Sequence, residues 1–247
     1  MRIDILTLFP AMCDAVLGES IIGRARAAGK VEINTHDIRD YTTDKHRRVD
    51  DKPYGGGMGM VMQAQPIADC FAALCEQLGT TPHLIYMTPQ GKTLTQQRVK
   101  ELAQLEHIAV LCGHYEGVDE RVIEELQPEE ISVGDYVLTG GELPALILAD
   151  SVARMLPGVL ADEECFTEES HYRFLLEYPQ YTHPSEWRGR EVPEVLLSGH
   201  HQKVDEWRRE QSLKRTRERR PDLLEQADLT QRDKLFLASL ETEKQQR

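Results

Sequence analysis

The chain has 247 residues and a formal net charge of −13, long enough to bury a sizeable core as one domain or two. No charged-then-apolar leader opens it and no apolar stretch could cross a bilayer, so a soluble, unsecreted protein is expected. The cysteines Cys13, Cys70, Cys75, Cys112 and Cys165 are odd in number and scattered without a CxxC, which argues against a disulfide framework or a zinc site and for a reducing cytoplasm.

In chain order, Arg2 to Phe9 has strand character, stopped by Pro10, and Lys30 to Ile38 alternates Val31 and Ile33 with polar neighbours as a half-buried strand would. A basic cluster follows, Lys45, His46, Arg47, Arg48 and Lys52, set among Asp44, Asp50 and Asp51. The segment PYGGGMGM, Pro53 to Met60, lacks the Gly-Lys-Ser/Thr ending of a P-loop and fails GxGxxG. Beside so many cations, it reads as a loop on whose bare backbone a phosphate or base could lie, or as a purely structural loop. From Pro66, a helix carries Ile67, Cys70, Phe71, Leu74 and Leu78 on one face and closes at Gly79.

Three apolar runs then end in glycine- or proline-bearing loops: LIYMTPQG (Leu84 to Gly91), IAVLCGHYEG (Ile108 to Gly117) and ISVGDYVLTGGELP (Ile131 to Pro144). Val99, Leu102 and Leu105 mark a helix between the first two. A further helix follows Pro144 with Leu146, Ile147, Val152 and Met155, and Pro157-Gly158 stops it. Strands alternating with helices predict an α/β domain with a largely parallel sheet. In such sheets ligands sit outside the carboxyl ends of the strands, so the three loops predict one pocket, although each taken singly could be an ordinary turn. Neither a GxSxG nucleophile elbow nor an HExxH zinc motif is present.

The rhythm breaks between Ala161 and Ser170, where four glutamates and one aspartate suggest a mobile linker. Beyond it, Glu191 to His201 looks like a loop that starts a helix, and Pro221 to Leu240 again has helical spacing. Seven basic residues against two acidic lie between Arg208 and Arg220. An acidic protein with such a patch can still hold a polyanion, because screening confines charge effects to about 8 Å; a solvated helix face is the other reading.

Six segments, VDDKPYGGGMGMVM, YMTPQG, LCGHYEGVDERV, SVGDYVLTGGELPALILADSVARMLPGVL, LLEYPQYT and VPEVLLSGHH, occur in this order. Together they resemble the bacterial tRNA (guanine-N1-)-methyltransferases of the SPOUT superfamily, from about Ile3 to at least Leu224. The resemblance implies an α/β fold with a trefoil knot over residues 1–160, a flexible linker over 161–172 and a helical tRNA-binding domain over 173–247. It implies S-adenosylmethionine held by Tyr86, Met87, Thr88 and Pro89, then by Gly113, Tyr115, Glu116 and Gly117. The third wall would be Ser132, Val133, Gly134, Asp135, Tyr136, Val137 and Leu138, with Gly140, Gly141 and Pro144. His114 would contact substrate or line the pocket, and Glu116 would touch the cofactor's amino group or a magnesium ion. Magnesium accompanies activity in the family, yet no local cluster of oxygen ligands marks a metal site in this sequence.

Guanine N1 carries a proton at neutral pH and attacks a methyl group poorly until a base removes it. Charge then develops on O6, where a donor should stabilise it. By resemblance Glu169 is the base and Arg154 the O6 donor. The family's Glu-Asp-Ser is here Glu168-Glu169-Ser170; the side chain is one methylene longer, and Glu168 or a water could serve instead. Asp50, Gly55 and Gly59 would help place the target nucleotide, and Ser198, Arg208 and Arg215 would hold RNA phosphates. The implied partners are the tRNA anticodon stem-loop and a second copy of the chain in a homodimer, and the implied product is N1-methylguanosine immediately 3′ of the anticodon. A SPOUT enzyme acting on ribosomal RNA or ribose, and a noncatalytic RNA-binding protein with a cofactor pocket, stay open at this point; cofactor binding without turnover on any tRNA would single out the last.

Overall fold

The structure, a computed structural model, describes residues 1–161, 164–167 and 169–245, with the side chains of 164, 165 and 241–245 left aside. The chain divides into two compact units, Met1–Asp162 and Glu163–Arg247.

In the first unit, β1 (Arg2–Thr7) leads through α1 (Pro10–Leu17) and α2 (Ser20–Ala27) to β2 (Glu32–Asp37) and a 3-10 turn at Ile38–Tyr41. A short hairpin, β3 (Asp50–Asp51) and β4 (Val61–Met62), carries the Gly-rich segment at its tip. There follow α3 (Ala64–Leu78), β5 (His83–Thr93), α4 (Gln96–Leu102), β6 (His107–Cys112), α5 (Glu120–Leu126), β7 (Glu129–Ser132) and α6 (Glu142–Ala153). The main sheet has five strands in the order β2-β1-β6-β5-β7, and every pairing is parallel.

This is the α/β class that alternating strands and helices predict. Both faces of the sheet are covered, so its central strands read as continuous apolar runs rather than alternating ones. Ile3, Ile5, Val110 and Cys112 pack on one side with α1, α2, α4 and α6. Leu6, Leu84, Ala109 and Leu111 pack on the other with α3 and α5. The edge strand β2 keeps only Ile33 fully inside, as its alternating sequence requires.

Three helices differ at their boundaries from the sequence reading, and one of them is α6, which begins at Glu142, ahead of Pro144, and ends at Ala153, short of Met155. The third helix begins at Ala64, before Pro66, because the ring is tolerated in a first turn where the missing N–H has no helical acceptor. It closes, as expected, on Gly79 in the left-handed region (φ 67°). Leu105 lies beyond the end of α4 and packs against the core from the loop.

In the second unit come α7 (Glu164–Thr167), a hairpin of β8 (Glu186–Trp187) and β9 (Arg190–Glu191), α8 (Glu194–Leu197), α9 (His201–Arg219), α10 (Pro221–Leu224) and α11 (Gln231–Gln245). The segment read as a linker therefore contains a helical turn, and Phe166 within it is buried beside Tyr172 (ring centroids 5.5 Å apart). The long helix α9 buries only Ser212, Leu213 and Thr216, a narrow stripe fitting its charged sequence. It starts at His201, at the end of the segment read as a loop that starts a helix. Thr216 secures it, donating to the Ser212 carbonyl (2.7 Å) and accepting the Leu176 N–H (2.8 Å).

Candidate active site

Register explains why the three loops meet. Met87 pairs with Cys112 on one side and with Ile131 on the other, so the chain leaves the sheet at three neighbouring positions. The first departure is an excursion within β5: Met87 and Lys92 both pair with Ile131, leaving residues 88–91 looped out. The second loop follows β6 at Gly113, and the third follows β7 at Val133.

Backbone contacts then tie the loops together. Gly141 N–H donates to the Gly113 carbonyl (2.7 Å), and His114 forms an antiparallel bridge with Gly140. A β-carbon at position 141 would stand 2.7 Å from Cys112 Cα, so glycine alone lets α6 begin this close to β6. The Gly-rich hairpin is strapped to the second loop, with Glu116 N–H donating to the Met60 carbonyl (3.0 Å) and Met62 N–H to the Gly117 carbonyl (2.9 Å). Its tip is open to solvent, Tyr54 being 98% and Met58 91% exposed.

The loops enclose a cavity of about 400 Å³. Sixteen residues expected at the cofactor line it: Tyr86, Met87, Thr88, Pro89, Gly113, Tyr115, Glu116, Gly117, Ser132, Val133, Tyr136, Val137, Leu138, Gly140, Gly141 and Pro144. His114 lines it too. Gly134 and Asp135 do not; the Ser132 hydroxyl bonds both the N–H (3.1 Å) and the carbonyl (3.0 Å) of Gly134, closing the turn there. The sequence reading missed Gln90, Val118, Glu120, Ile123, Glu130, Ile131 and Thr139, which complete the lining. Glu120 and Glu130 stand where α5 begins and within β7, positions that only the strand register brings to the cavity.

The electrostatics are one-sided. Glu116, Glu120 and Glu130 line the cavity, and His114 is the one basic side chain among the described residues that do. Burial, and then the charge of Glu130, push the Tyr86 hydroxyl above its ordinary value. Burial likewise pushes the Cys112 thiol, beneath the second loop, well up. Backbone, apolar side chains and carboxylates thus suit a small, partly apolar, cationic ligand.

The other expected residues are distributed as follows. Asp50 is half-buried in β3, and Gly55 and Gly59 lie in the Gly-rich tip, both in the left-handed region. A β-carbon on Gly59 would meet the Glu116 carboxylate at 2.3 Å, so the tip abuts the second loop. Arg154 caps the C-terminus of α6 in the first unit. Glu169 belongs to the second unit, its N–H donating to the Phe166 carbonyl (3.3 Å), and Glu168 lies outside the described residues. Ser198 is exposed; Arg208 is half-buried over the Tyr178 ring (5.0 Å) and near Asp205 (3.5 Å); Arg215 reaches the Glu177 carbonyl (3.5 Å). Among the described residues no group of three or more His, Cys, Asp or Glu could hold a metal ion. No helix among them is long and apolar enough to cross a membrane.

A parallel sheet with one cavity at its carboxyl edge defines an α/β protein that binds a small ligand. Comparison with known proteins supplies the family. Residues 1–226 match the model described as tRNA (Guanine-1)-methyltransferase TrmD. Three similar proteins are each named tRNA (guanine-N(1)-)-methyltransferase. That of Ruminiclostridium cellulolyticum is 59% identical over 90% of this chain and 96% of its own. That of Halalkalibacterium halodurans is 53% identical over 97% and 98%. That of Chloroflexus aurantiacus is 56% identical over 97% and 96%. The chain belongs to the tRNA (guanine-1)-methyltransferase family and is an enzyme, a methyltransferase.

Proposed function

We propose that this enzyme transfers a methyl group from S-adenosylmethionine to N1 of the guanosine at position 37 of tRNA, immediately 3′ of the anticodon, and so maintains the reading frame. The observation that carries the reading is the cavity walled by the three motif-bearing loops, with carboxylates and no lysine or arginine among its described lining. Such a lining suits a ligand that bears both a sulfonium and an ammonium. When bound, S-adenosylmethionine supplies a methyl group already activated on sulfur, so the chain needs no nucleophile of its own.

The work left to the protein is positioning and proton transfer. The backbone of Val133 and of Tyr136 to Leu138 reads an adenine edge, Gly113 and Gly141 allow close approach, and Glu116 holds the ammonium. Glu169 removes the N1 proton, and Arg154 donates to O6 as charge develops there. Asp50 and the tip around Gly55 and Gly59 place the target nucleotide. Ser198, Arg208, Arg215 and their neighbours on α9 hold the anticodon stem-loop, in a tRNA-binding domain over residues 173–247 joined through 161–172. No residue is assigned to magnesium.

The family resemblance further supports a trefoil knot in residues 1–160, a cytoplasmic setting and a homodimer in which Glu169 and Arg154 of one site come from different protomers. An apolar face formed by Phe9, Met12 and Val16 of the α1 region and by Leu143 and Ile147 of α6, each 38 to 50% exposed, is the kind of surface a second copy would cover. The experiment is labelled methyl transfer to an unmodified tRNA transcript and to one with adenosine in place of the guanosine 3′ of the anticodon. Incorporation into the first alone, mapped to N1, is expected. Binding of the donor without incorporation into either would overturn the reading.

A further inference from the structure

Trp187 is 54% exposed, in a chain with only two tryptophans. Tryptophan and arginine are among the residues most enriched at the energetic centres of interfaces. Here the ring is held out on a defined turn. Arg188 and Gly189 alone join β8 to β9, both in the left-handed region (φ 53° and 73°), the two-residue connection whose twist matches an antiparallel pair. The Val192 N–H donates to the Ser185 carbonyl (2.8 Å) and continues the pairing below it. A β-carbon on Gly189 would meet nothing within 4 Å, so the turn itself is open. Register then sorts the side chains. Glu186 is opposite Glu191 and Trp187 opposite Arg190, and successive residues of a strand point to opposite faces. The two glutamates therefore share one face, and Trp187 and Arg190 the other. Arg188 joins the second group, its guanidinium 4.7 Å from the centre of the indole ring. Like charges directly opposite each other destabilise a strand pair, so the arrangement does not serve the hairpin's own stability. It segregates charge instead: one face is acidic, and the other is an indole with two exposed guanidiniums. Neither guanidinium has a hydrogen-bond or ion-pair partner among the described residues.

We propose that the Trp187 face of this hairpin docks the RNA substrate: an unpaired base stacks on the indole, and the phosphates beside that base meet Arg188 and Arg190. The chemistry selects this occupant. Every base has a π-face, so one ring can hold an unpaired nucleotide whatever its identity. A guanidinium stacked on an indole uses its flat face and keeps its N–H edge for a phosphate. Bases in a duplex keep their faces within the helical stack, so the indole selects single-stranded RNA over paired RNA. An apolar protein surface would match the ring alone and would bury two guanidiniums without partners. The inference rests on the proposed RNA substrate and adds to it a contact outside the cavity lining.

The test joins equilibrium binding over a range of salt to fluorescence. Trp187→Ala should weaken binding of unmodified tRNA about five- to a hundredfold, the span of one lost base stack. The slope of log K against log salt should stay as it was, because stacking releases no counterion. Trp187→Tyr should recover most of the affinity, since any aromatic ring can stack. Arg190→Gln should do the converse and make the slope shallower by about one, as for one lost phosphate contact. Affinity for S-adenosylmethionine should be unchanged in all three, because the cavity lining lies in the first unit. In Trp207→Phe, residue 187 is the only tryptophan left. Its emission should be quenched by tRNA and by a single-stranded RNA oligonucleotide, but not by a fully paired RNA duplex. Wild-type tRNA affinity in Trp187→Ala would overturn the proposal, as would a loss matched by a fall in denaturant stability, which would mark a merely structural ring. A blue shift of Trp187 emission that grows with enzyme concentration in the absence of RNA would overturn it too, by giving the face to a second copy of the chain. If the unaltered enzyme bound no tRNA, the functional reading would fail instead. The single-stranded oligonucleotide would then decide, quenching of Trp187 supporting the docking face and unchanged emission overturning it.

Discussion

Gly91 lies against the backbone of Ile131 so closely that an added β-carbon would stand 2.5 Å from the Ile131 nitrogen and 2.4 Å from the preceding carbonyl carbon. The excursion that forms the first cavity loop ends here, and β5 resumes its pairing with β7 at Lys92. Backbone on both sides leaves nothing that can swing aside, so Gly91→Ala must part the strands beneath two of the three loops. Overpacking of this kind costs about 1–3 kcal/mol. We expect that loss in chemical denaturation, with donor affinity falling at least about tenfold, as small misplacements of a preorganised site do. A variant with lowered stability and unchanged donor affinity would mean that the first loop takes no part in binding.

Asp4, fully buried in β1, accepts bonds from Arg2 (2.8 and 2.9 Å) and His36 (2.8 Å). Burial alone would raise its carboxyl pKa, but the bonds from His36 and Arg2 outweigh it and hold the value below the ordinary 3.8. A carboxylate with a depressed folded-state pKa contributes stability that is present above the unfolded value and lost as pH falls through the folded one. Unfolding free energy should therefore drop as pH goes below about 4. Asp4→Asn should flatten that dependence and cost about 3 kcal/mol at neutral pH, the usual effect of breaking a buried pair. Urea titrations of both proteins between neutral and acid pH would show it.

In the second unit, Thr230 and Asp233 cap α11 reciprocally: Asp233 N–H donates to the Thr230 hydroxyl (3.2 Å), and Thr230 N–H to the Asp233 carboxylate (2.9 Å). The same carboxylate, 4% exposed, takes the Arg209 guanidinium at 2.9 Å and so binds α11 to α9. Losing a cap costs about 1 kcal/mol, and the buried charge partner adds to it. Asp233→Ala should lose about 2–4 kcal/mol in all, seen as faster amide exchange through α9 and α11. Donor affinity should be untouched, because every residue lining the cavity lies in the first unit.

The parallel sheet and its three loops were legible because buried strands are written as local apolar runs. Convergence of the loops could be expected from strand class, but its cause, the alignment of Met87 with Cys112 and Ile131, is a matter of register that no local pattern encodes. Glu130 in β7 reaches the cavity by the same register, and Glu120 by the position of α5, so neither stands out in the local pattern. Glu142 stood in plain view between two glycines and an apolar helix, yet its partner Thr7 is 135 residues away. Gly134 and Asp135 were assigned to the cofactor because they sit within a motif, and the local pattern did not show that Gly134 is held by the Ser132 hydroxyl. The acidic segment concealed a helical turn because one residue, Phe166, supplies the burial that average composition obscured.

Glu169 and Arg154 test the chemistry most directly. Under the proposed mechanism Glu169→Gln keeps the shape of the side chain and removes its ability to take the N1 proton. Turnover should fall by about 10²- to 10⁴-fold, the range that general-base catalysis supplies, with donor affinity unchanged. Glu169→Asp restores the shorter carboxylate typical of the family, so it should retain most activity if the backbone around residue 169 can adjust. Arg154→Ala should slow the same step by about 10²-fold or more, through loss of the O6 donor. Because both residues serve one deprotonation, the double variant should be less impaired than the product of the single effects. Single-turnover methyl transfer at saturating donor separates these outcomes from changes in tRNA binding. Near-normal turnover in Glu169→Gln would sink the base assignment and pass the role to Glu168 or to a water.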